Sequence, residues 1–586
     1  MYILTSNEIK EIEKHTFKVL GLPSSVVMET AGRRVVSIVS ILSASEKLSN
    51  GPIVVCVGTG NNGGDGFVIA RVLKSMGYVV IVASSKSIES LSGDARVFAD
   101  VWCATQGDTI VFDPNDVEHR AMIAYMLENS SVIVDAILGT GYKGKLKKAV
   151  AAWISLINAA GKPIISVDIP SGVDASTGEI DSEAVNADCT VTFDYPKVGH
   201  VLYPGASYCG DVIMSNVGIE MPQAYHPNTV KLFMLGDARE LLDDMQELRG
   251  DSSCFHKGDK GRVLVVGGAM GMCGAVKLCA GAAMATGAGL VTLAVPNSVA
   301  NVLAPQLMEF MCCALCDDGN GEFSGEDTIE RLRELVKGKD AIVVGPGLGR
   351  GAGATKLLKN LLRISKENDI STIIDADAIN AIALHDDSAE FDINDAAFAI
   401  TPHHAEAARL LKCEVEAVEF DRLWAARELS KKYTCDIVLK GARTIVITDE
   451  GSSCSINPTS TNVLATAGSG DVLSGMIAAF CAGGMILNQA CCLGVFVHGV
   501  VGEMLEQELE KPFIGAIASD IISNIPNAIN YIYSATSDDK SEFRVILPGA
   551  MHRRVDEVID KCLRTKIKDF CYAGKEEDEE FLSEDV

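Results

Sequence analysis

Three segments before residue 175 hold residue types that could bind an anion, bind a cation and move a proton. The first is Gly58-Thr59-Gly60-Asn61-Asn62-Gly63-Gly64-Asp65-Gly66. Glycines in such a run let backbone N–H groups converge on a phosphate. The second is Asp135, followed by Gly139-Thr140-Gly141-Tyr142-Lys143-Gly144-Lys145. The third is Asp168-Ile169-Pro170-Ser171-Gly172-Val173-Asp174. Oxygens of Asn, Asp and Ser from the three could hold a hard cation. Gly58, Gly60 and Gly63 also satisfy G-x-G-x-x-G, yet Ser84-Ser85-Lys86 stands where a dinucleotide fold places its ribose-binding acid. The plainer readings are a loop-forming Gly run and, for Asp135, a buried carboxylate satisfied by hydrogen bonds.

A fourth segment lies far downstream: Asn462-Val463-Leu464-Ala465-Thr466-Ala467-Gly468-Ser469-Gly470-Asp471-Val472-Leu473-Ser474-Gly475. A Gly-rich turn here leads into a helix, with Asp471 in its first turn. The free N–H groups of a helix start can hold a transferring phosphoryl group. Asp471 is then placed to take a proton from a hydroxyl. The alternative is that Asp471 only caps the helix.

These segments need elements to present them. Apolar β-rich runs occur at 53–57, 78–82, 131–138, 163–168, 189–193 and 211–215, with helical stretches at 66–76 and 147–160 between some of them. Near-continuous apolar strands alternating with helices predict a mainly parallel, doubly wound sheet of the Rossmann-like kind. The candidate loops follow strand ends, which in such a sheet converge on one crevice. After residue 218 the pattern lapses, and 221–251 reads as a junction with a helix near 238–247. A second series follows at 262–266, 290–295, 341–344, 371–374, 398–400, 437–439 and 444–448, closing with long apolar helices after Gly470. The two series share no repeated motif. The expected division is therefore 1–218, a linker 219–237, a second α/β domain 238–535, and an extension 536–586. In the extension, 544–547 reads as a strand, 553–568 as a helix, and 575–586 as a disordered acidic tail.

Composition bounds the partners. The 586 residues are 48% hydrophobic and 22% charged, a globular composition too long for one core. A formal net charge of -27 argues against nucleic acid or anionic membrane as a partner. The 18 cysteines show no framework spacing, and the lone Cys313-x-x-Cys316 pair falls short of a zinc set. Reduced thiols point to the cytoplasm. Two uncharged stretches, 278–308 and 472–502, are rich in Gly, Ala, Ser and Thr and read as buried helices, not membrane spans.

The first three segments, with Met28-Glu29-Thr30-Ala31-Gly32, Lys197-Val198-Gly199-His200 and Pro204-Gly205, resemble the NAD(P)H-hydrate epimerase family. That resemblance implies substrate contacts at Asn61, Asn62, Gly63, Gly64 and Asp65, along Gly139–Lys145, and at Asp168. It implies K⁺ held by Asn62, Asp135 and Ser171, with Asp168 as acid/base at C6 of the nicotinamide ring. The downstream segment resembles the ribokinase-like fold and, more narrowly, nucleotide-dependent NAD(P)H-hydrate dehydratase. Gly345-Pro346-Gly347-Leu348-Gly349, Asp375-Ala376-Asp377-Ala378 and Thr401-Pro402-His403-His404-Ala405-Glu406 agree with it. Here the resemblance implies substrate contacts at Ala275, Gly347, His403 and Asp471. It implies nucleotide contacts at Lys440, Gly441, Ala442, Arg443, Thr444 and Gly470, with Asp471 as base. ADP is the implied phosphoryl donor, and phosphoryl transfer implies Mg²⁺. The substrates would be NADHX and NADPHX, and large apolar α/β domains of this kind often form homo-oligomers. Two other readings stand beside this one: a ribokinase-like small-molecule kinase, and an active dehydratase carrying a non-catalytic cofactor sensor.

Overall fold

The computed structural model describes residues 1–43, 51–223, 225, 230–249, 256–306, 309–324, 327–385, 391, 393, 394, 397–448, 451–509, 515–534 and 543–547. Its strands are β1 (Ile53–Val57), β2 (Val80–Ser84), β3 (Asp108–Val111), β4 (Val132–Ala136), β5 (Ile164–Val167), β6 (Cys189–Phe193), β7 (Asp211–Ser215), β8 (Val230–Leu232) and β9 (Arg262–Val266). They continue with β10 (Leu290–Pro296), β11 (Met311–Leu315), β12 (Ala341–Val344), β13 (Ser371–Ile374), β14 (Phe398–Ile400), β15 (Asp436–Leu439), β16 (Ile445–Thr448), β17 (Ser453–Ile456) and β18 (Phe543–Leu547). The chain clusters into two compact units that divide near residue 227, with β18 returning to the first.

The first unit is built on one sheet, in the order β18-β7-β6-β5-β4-β1-β2-β3. Strands β1 to β7 run parallel, as a doubly wound sheet requires, and β18 adds an antiparallel edge. Every residue of β1 and β4 is buried. Alternation sends them to two faces: Val55 and Val57 pack with Phe67 and Trp102, whereas Val54 and Cys56 pack with Ile123 and Trp153. The helix expected at 66–76 starts earlier, as Asn61–Ser75. The Gly-rich run is thus the first helical turn, not a loop before it. Its glycines permit this because a Cβ on Gly63 would lie 2.1 Å from the Gly58 carbonyl oxygen.

The second unit has the order β11-β10-β9-β12-β13-β14-β15-β16-β17-β8. Its strands are parallel from β11 across to β15, then antiparallel through β16 and β17. β8 lies within the segment that reads as an irregular junction and pairs with β17. Three residues are too few to show a period. The helix read at 238–247 spans Leu235–Arg249. The uncharged stretches fold as helices and strands of this unit, and among the described residues no helix is long and apolar enough to cross a membrane. Helix Ser469–Ala482 is buried almost throughout, which accounts for its apolar composition on every side. The stretches 553–568 and 575–586 lie outside the described residues.

Both sheets have a switch point. β1 sits between β2 and β4, and β9 sits between β10 and β12, so successive connections leave on opposite sides. The loops after β1 and β4, and those after β9 and β12, therefore flank a crevice at the strand carboxyl ends.

Candidate active sites

In the first unit, Asp168 follows β5 with φ +66°, a left-handed conformation that costs a non-glycine residue strain. Its surroundings hold it there. Lys197 Nζ donates to Asp168 Oδ1 at 2.5 Å and to Thr192 Oγ1 at 2.8 Å. Lys197 is 2% exposed, so this ion pair is largely shielded from solvent. The Lys197 N–H donates to His200 Nδ1 at 3.0 Å, which leaves Nε2 to donate to the Asp168 carbonyl oxygen at 2.8 Å. Burial, then the Lys197 charge, push the His200 pKa down to about 3, so the ring is a neutral donor. Glu13, on helix Ser6–Lys18, and Asp65 both interact with the Asp168 charge. Burial first and Asp168 second push both carboxyls upward, Asp65 strongly.

Asp135 is fully buried at the end of β4. It accepts from Ser171 Oγ at 2.6 Å, the Ser171 N–H at 2.9 Å, Ser166 Oγ at 2.9 Å and the Ile137 N–H at 3.3 Å. It is thus a satisfied buried carboxylate, and the same bonds fix Ser171. Asn62 Nδ2 donates to the Leu138 carbonyl oxygen at 2.8 Å, while the buried Asn62 Oδ1 has no partner. Gly139 lies against Asn62, its virtual Cβ 3.1 Å from the Asn62 Cβ. Asn61, Gly141, Lys143, Gly144 and Lys145 are exposed, Thr140 and Tyr142 half-buried. The fold brings Asn62, Asp135, Ser171 and Gly139 together around the Leu138 backbone, and Asp65 within reach of the Asp168 charge.

In the second unit, Ala275, Gly347, His403 and Asp471 all line one cleft of about 540 Å³, with Met272, Arg350, Asp377, Glu406, Arg409 and Gly468. Helix Ser469–Ala482 begins with Gly468 as N-cap and no side-chain cap. Asp471 therefore does not cap the helix, and the amino-terminal N–H groups stay open for an anion. Burial, then the like charge of Asp375, raise the Asp471 pKa to about 7. His403 does cap: its Nδ1 accepts from the N–H groups of Ala405 and Glu406, and its own N–H donates to Glu406 Oε2. Its Nε2 lies 3.4 Å from Glu406 Oε1, both residues lining the cleft, and burial followed by Lys440 lowers the His403 pKa. Lys440 follows β15 and points inward, donating to Asp375 Oδ1 at 2.7 Å. Gly441 and Ala442 are exposed, whereas Arg443 and Thr444 are buried, with Thr444 Oγ1 donating to the Gly441 carbonyl oxygen at 2.9 Å. Gly470 lies beside Lys440, its virtual Cβ 3.2 Å from Nζ.

Sequence reasoning gave no role to Lys197, Glu13 or Asp375. Lys197 and Asp375 stood in quoted motifs, but a lysine–carboxylate contact across 29 or 65 residues leaves no local spacing signal.

The fold and these clusters define a two-domain α/β enzyme. Residues 24–199 match the YjeF-related protein N-terminus family, and residues 263–527 match the NAD(P)H-hydrate dehydratase family. The bifunctional NAD(P)H-hydrate repair enzyme Nnr of Moorella thermoacetica is 36% identical over 528 residues, covering 90% of this chain and 96% of that protein. The same-named protein of Escherichia coli is 31% identical, covering 92% and 95%. A crystal structure of ADP/ATP-dependent NAD(P)H-hydrate dehydratase from Bacillus subtilis, co-crystallised with ATP/Mg²⁺, aligns at TM-score 0.42 and 23% identity over 52% of this chain and 99% of that one. The chain belongs to the family of bifunctional NAD(P)H-hydrate repair enzymes.

Proposed function

We propose that this chain repairs hydrated nicotinamide cofactors, the first unit interconverting the R and S forms of NADHX and NADPHX and the second dehydrating the S form. The carrying observation is that Ala275, Gly347, His403 and Asp471, from four separate segments, line one cleft. An aspartate with a pKa of about 7 suits a base that must accept a proton at neutral pH. Asp471 would deprotonate the C6 hydroxyl as its oxygen attacks the terminal phosphate of ADP, and AMP leaves. The ring nitrogen's electron pair then expels inorganic phosphate from C6, and loss of a C5 proton restores the dihydronicotinamide. Phosphate leaves far more readily than hydroxide, which suits a phosphoryl-transfer fold to a dehydration. Lys440, Gly470 and the exposed tip Gly441-Ala442, with Arg443 and Thr444, would face the nucleotide. Mg²⁺ would enter with the nucleotide, whose phosphates supply most of its ligands.

In the first unit Asp168 would serve as acid/base, with Asn61 to Asp65 and Gly139 to Lys145 on the substrate. K⁺ fits the corner of Asn62, Asp135 and Ser171: the buried, unpartnered Asn62 Oδ1 needs a donor or a cation, and the neighbouring oxygens are hard ligands. When bound, K⁺ would supply positive charge near the substrate phosphates. The same reading places the protein in the cytoplasm, as a homo-oligomer.

The test supplies mixed-epimer NADHX, K⁺, Mg²⁺ and either ADP or ATP, and follows the dihydronicotinamide absorbance. Recovery from both epimers that depends on nucleotide and vanishes with Asp471→Ala is expected. Consumption of the S form alone makes the first unit a sensor. A stable phosphorylated product without recovery makes the second a kinase.

A further inference from the structure

Asp375 lies one step behind the proposed base. It follows β13, and its side chain is 1% exposed. Lys440 Nζ donates to Oδ1 at 2.7 Å, the Ala376 N–H to Oδ1 at 2.8 Å, and Ser474 Oγ to Oδ2 at 2.7 Å. Three elements meet there: the end of β13, the end of β15, and helix Ser469–Ala482. A buried ion pair contributes little to stability relative to well-packed apolar groups. Its position suggests another purpose. The virtual Cβ of Gly470 is 3.2 Å from Lys440 Nζ and 3.9 Å from Asp375 Oδ2, so the pair lies directly against the helix's first turn. Any side chain at 470 would press on the ammonium.

We propose that Asp375 is a positioning residue for phosphoryl transfer: it holds the Lys440 ammonium at the amino end of helix Ser469–Ala482, where that charge meets the transferring phosphoryl group, and ties the same helix end to the sheet through Ser474. This inference rests on the dehydratase reading of the cleft. It explains why Lys440 points inward at the helix start. The pair also separates two carboxyls. Lys440 holds Asp375 below the ordinary carboxylate range in spite of its burial. The ionised Asp375 in turn helps keep Asp471 near neutrality. The charged groups facing Asp471 are Asp375 after β13, Lys440 after β15, Asp377 on helix Asp377–Leu384 and Glu406 on helix His404–Leu411. His403, Arg350 and Arg409 line the same cleft.

The experiment uses the full chain with Asp375→Asn, which keeps side-chain size and removes the charge. With ADP, Mg²⁺ and S-NADHX, kcat is expected to fall on the order of 10²-fold, as for loss of one preorganised electrostatic contact. The KM for S-NADHX should change little. The acidic limb of the kcat–pH profile should move to lower pH, because a like charge has left Asp471; a purely structural role would not move it. The second unit's calorimetric melting transition reports that the unit carrying the substitution is folded, and R-to-S conversion by the first unit should be unchanged. Lys440→Gln and the double variant close a cycle. If Asp375 acts through Lys440, the double variant is at most about threefold slower than Lys440→Gln alone; multiplied losses overturn the proposal. A wild-type kcat with an unmoved limb also overturns it. Should Asp375→Asn not accumulate as folded protein, Ser474→Ala carries the test: a several-fold loss of kcat at an unchanged melting temperature supports the tie, and an unchanged kcat overturns it. Wild-type protein that performs no nucleotide-dependent dehydration would instead defeat the reading of the cleft, whatever Asp375 does.

Discussion

The two units solve the placement of a buried lysine differently. In the first, Lys197 pairs with Asp168, the proposed catalytic carboxyl itself. In the second, Lys440 pairs with Asp375, and the proposed base Asp471 stands beside the pair without sharing it. In both, one carboxylate takes the lysine and its neighbours are pushed toward the neutral form: Glu13 and Asp65 in one unit, Asp471 in the other. The reactions account for the difference. Phosphoryl transfer moves an anion across the site, so a cation must face that anion while the base remains free to accept a proton. Epimerisation at a ring carbon moves no anion, so the lysine can serve the carboxylate directly.

Asp471→Ala should break the second unit alone and have the largest effect. Nucleotide-dependent dehydration is expected to fall on the order of 10³–10⁴-fold, within the range of a general base. R-to-S conversion, followed by separating the epimers chromatographically, should be untouched. Asp168→Asn should do the reverse, costing on the order of 10²–10³-fold in epimerisation while S-NADHX is still dehydrated. Lys197→Met belongs with it: if the ion pair serves Asp168, it loses at least tenfold in epimerisation. A wild-type rate in that variant would remove the contrast between the two lysines.

Most of the strand pattern was legible, because buried parallel strands are apolar along their length. Arg262–Val266, Ala341–Val344 and Ser371–Ile374 fold at their expected bounds. β3, β8, β11 and β17 were not foreseen; β3 is a four-residue edge strand with no fully buried residue. β8 has only three residues, β11 is an edge strand with partly exposed cysteines, and β17 reads Ser-Cys-Ser-Ile, too short and mixed to stand out. The glycine runs at 58–66 and 345–349 and the aspartates Asp168 and Asp375 do follow strand ends, as expected. What the sequence could not show is which charges pair across the crevice. Asp375 and Lys440 are each unremarkable where they stand, and only the adjacency of β13, β14 and β15 brings them together.

The first unit's corner offers a finer test. Replacing K⁺ by choline should slow epimerisation about tenfold, and Asn62→Leu should abolish the response to K⁺, since the Asn62 Oδ1 oxygen is then gone. Dehydration by the second unit should respond to neither change. A residual K⁺ response in Asn62→Leu, measured by titrating the salt, would place the ion elsewhere. The pH profile sharpens the other side. A base with a pKa of about 7 works only when deprotonated, so kcat/KM for dehydration should rise with pH through about 7 and level off above it.

The smallest expected effect concerns stability. Each unit buries a neutral histidine: His200, with a pKa of about 3, and His498, which sits 3.2 Å from Ser469 Oγ with a pKa of about 4. Burial is the first cause in both. An unfolded histidine titrates near 6.5, so below that pH the unfolded chain binds more protons than the folded one. The histidine contribution is therefore fully present above pH 6.5 and is lost as the pH falls toward the folded values. Asp471 opposes this within the second unit: its raised pKa makes the folded chain bind more protons between 3.8 and about 7, so its contribution weakens as pH rises. A wild-type curve mixes the two slopes, and the comparison must be with a variant. His498→Gln keeps a polar group near Ser469 Oγ and removes the titration. Calorimetric melting between pH 5 and 7.5 should then show a shallower fall toward acid in the second unit's transition and no change in the first unit's. Parallel curves for wild type and variant would mean that His498 is already solvated, and the symmetry between the two buried histidines would be lost.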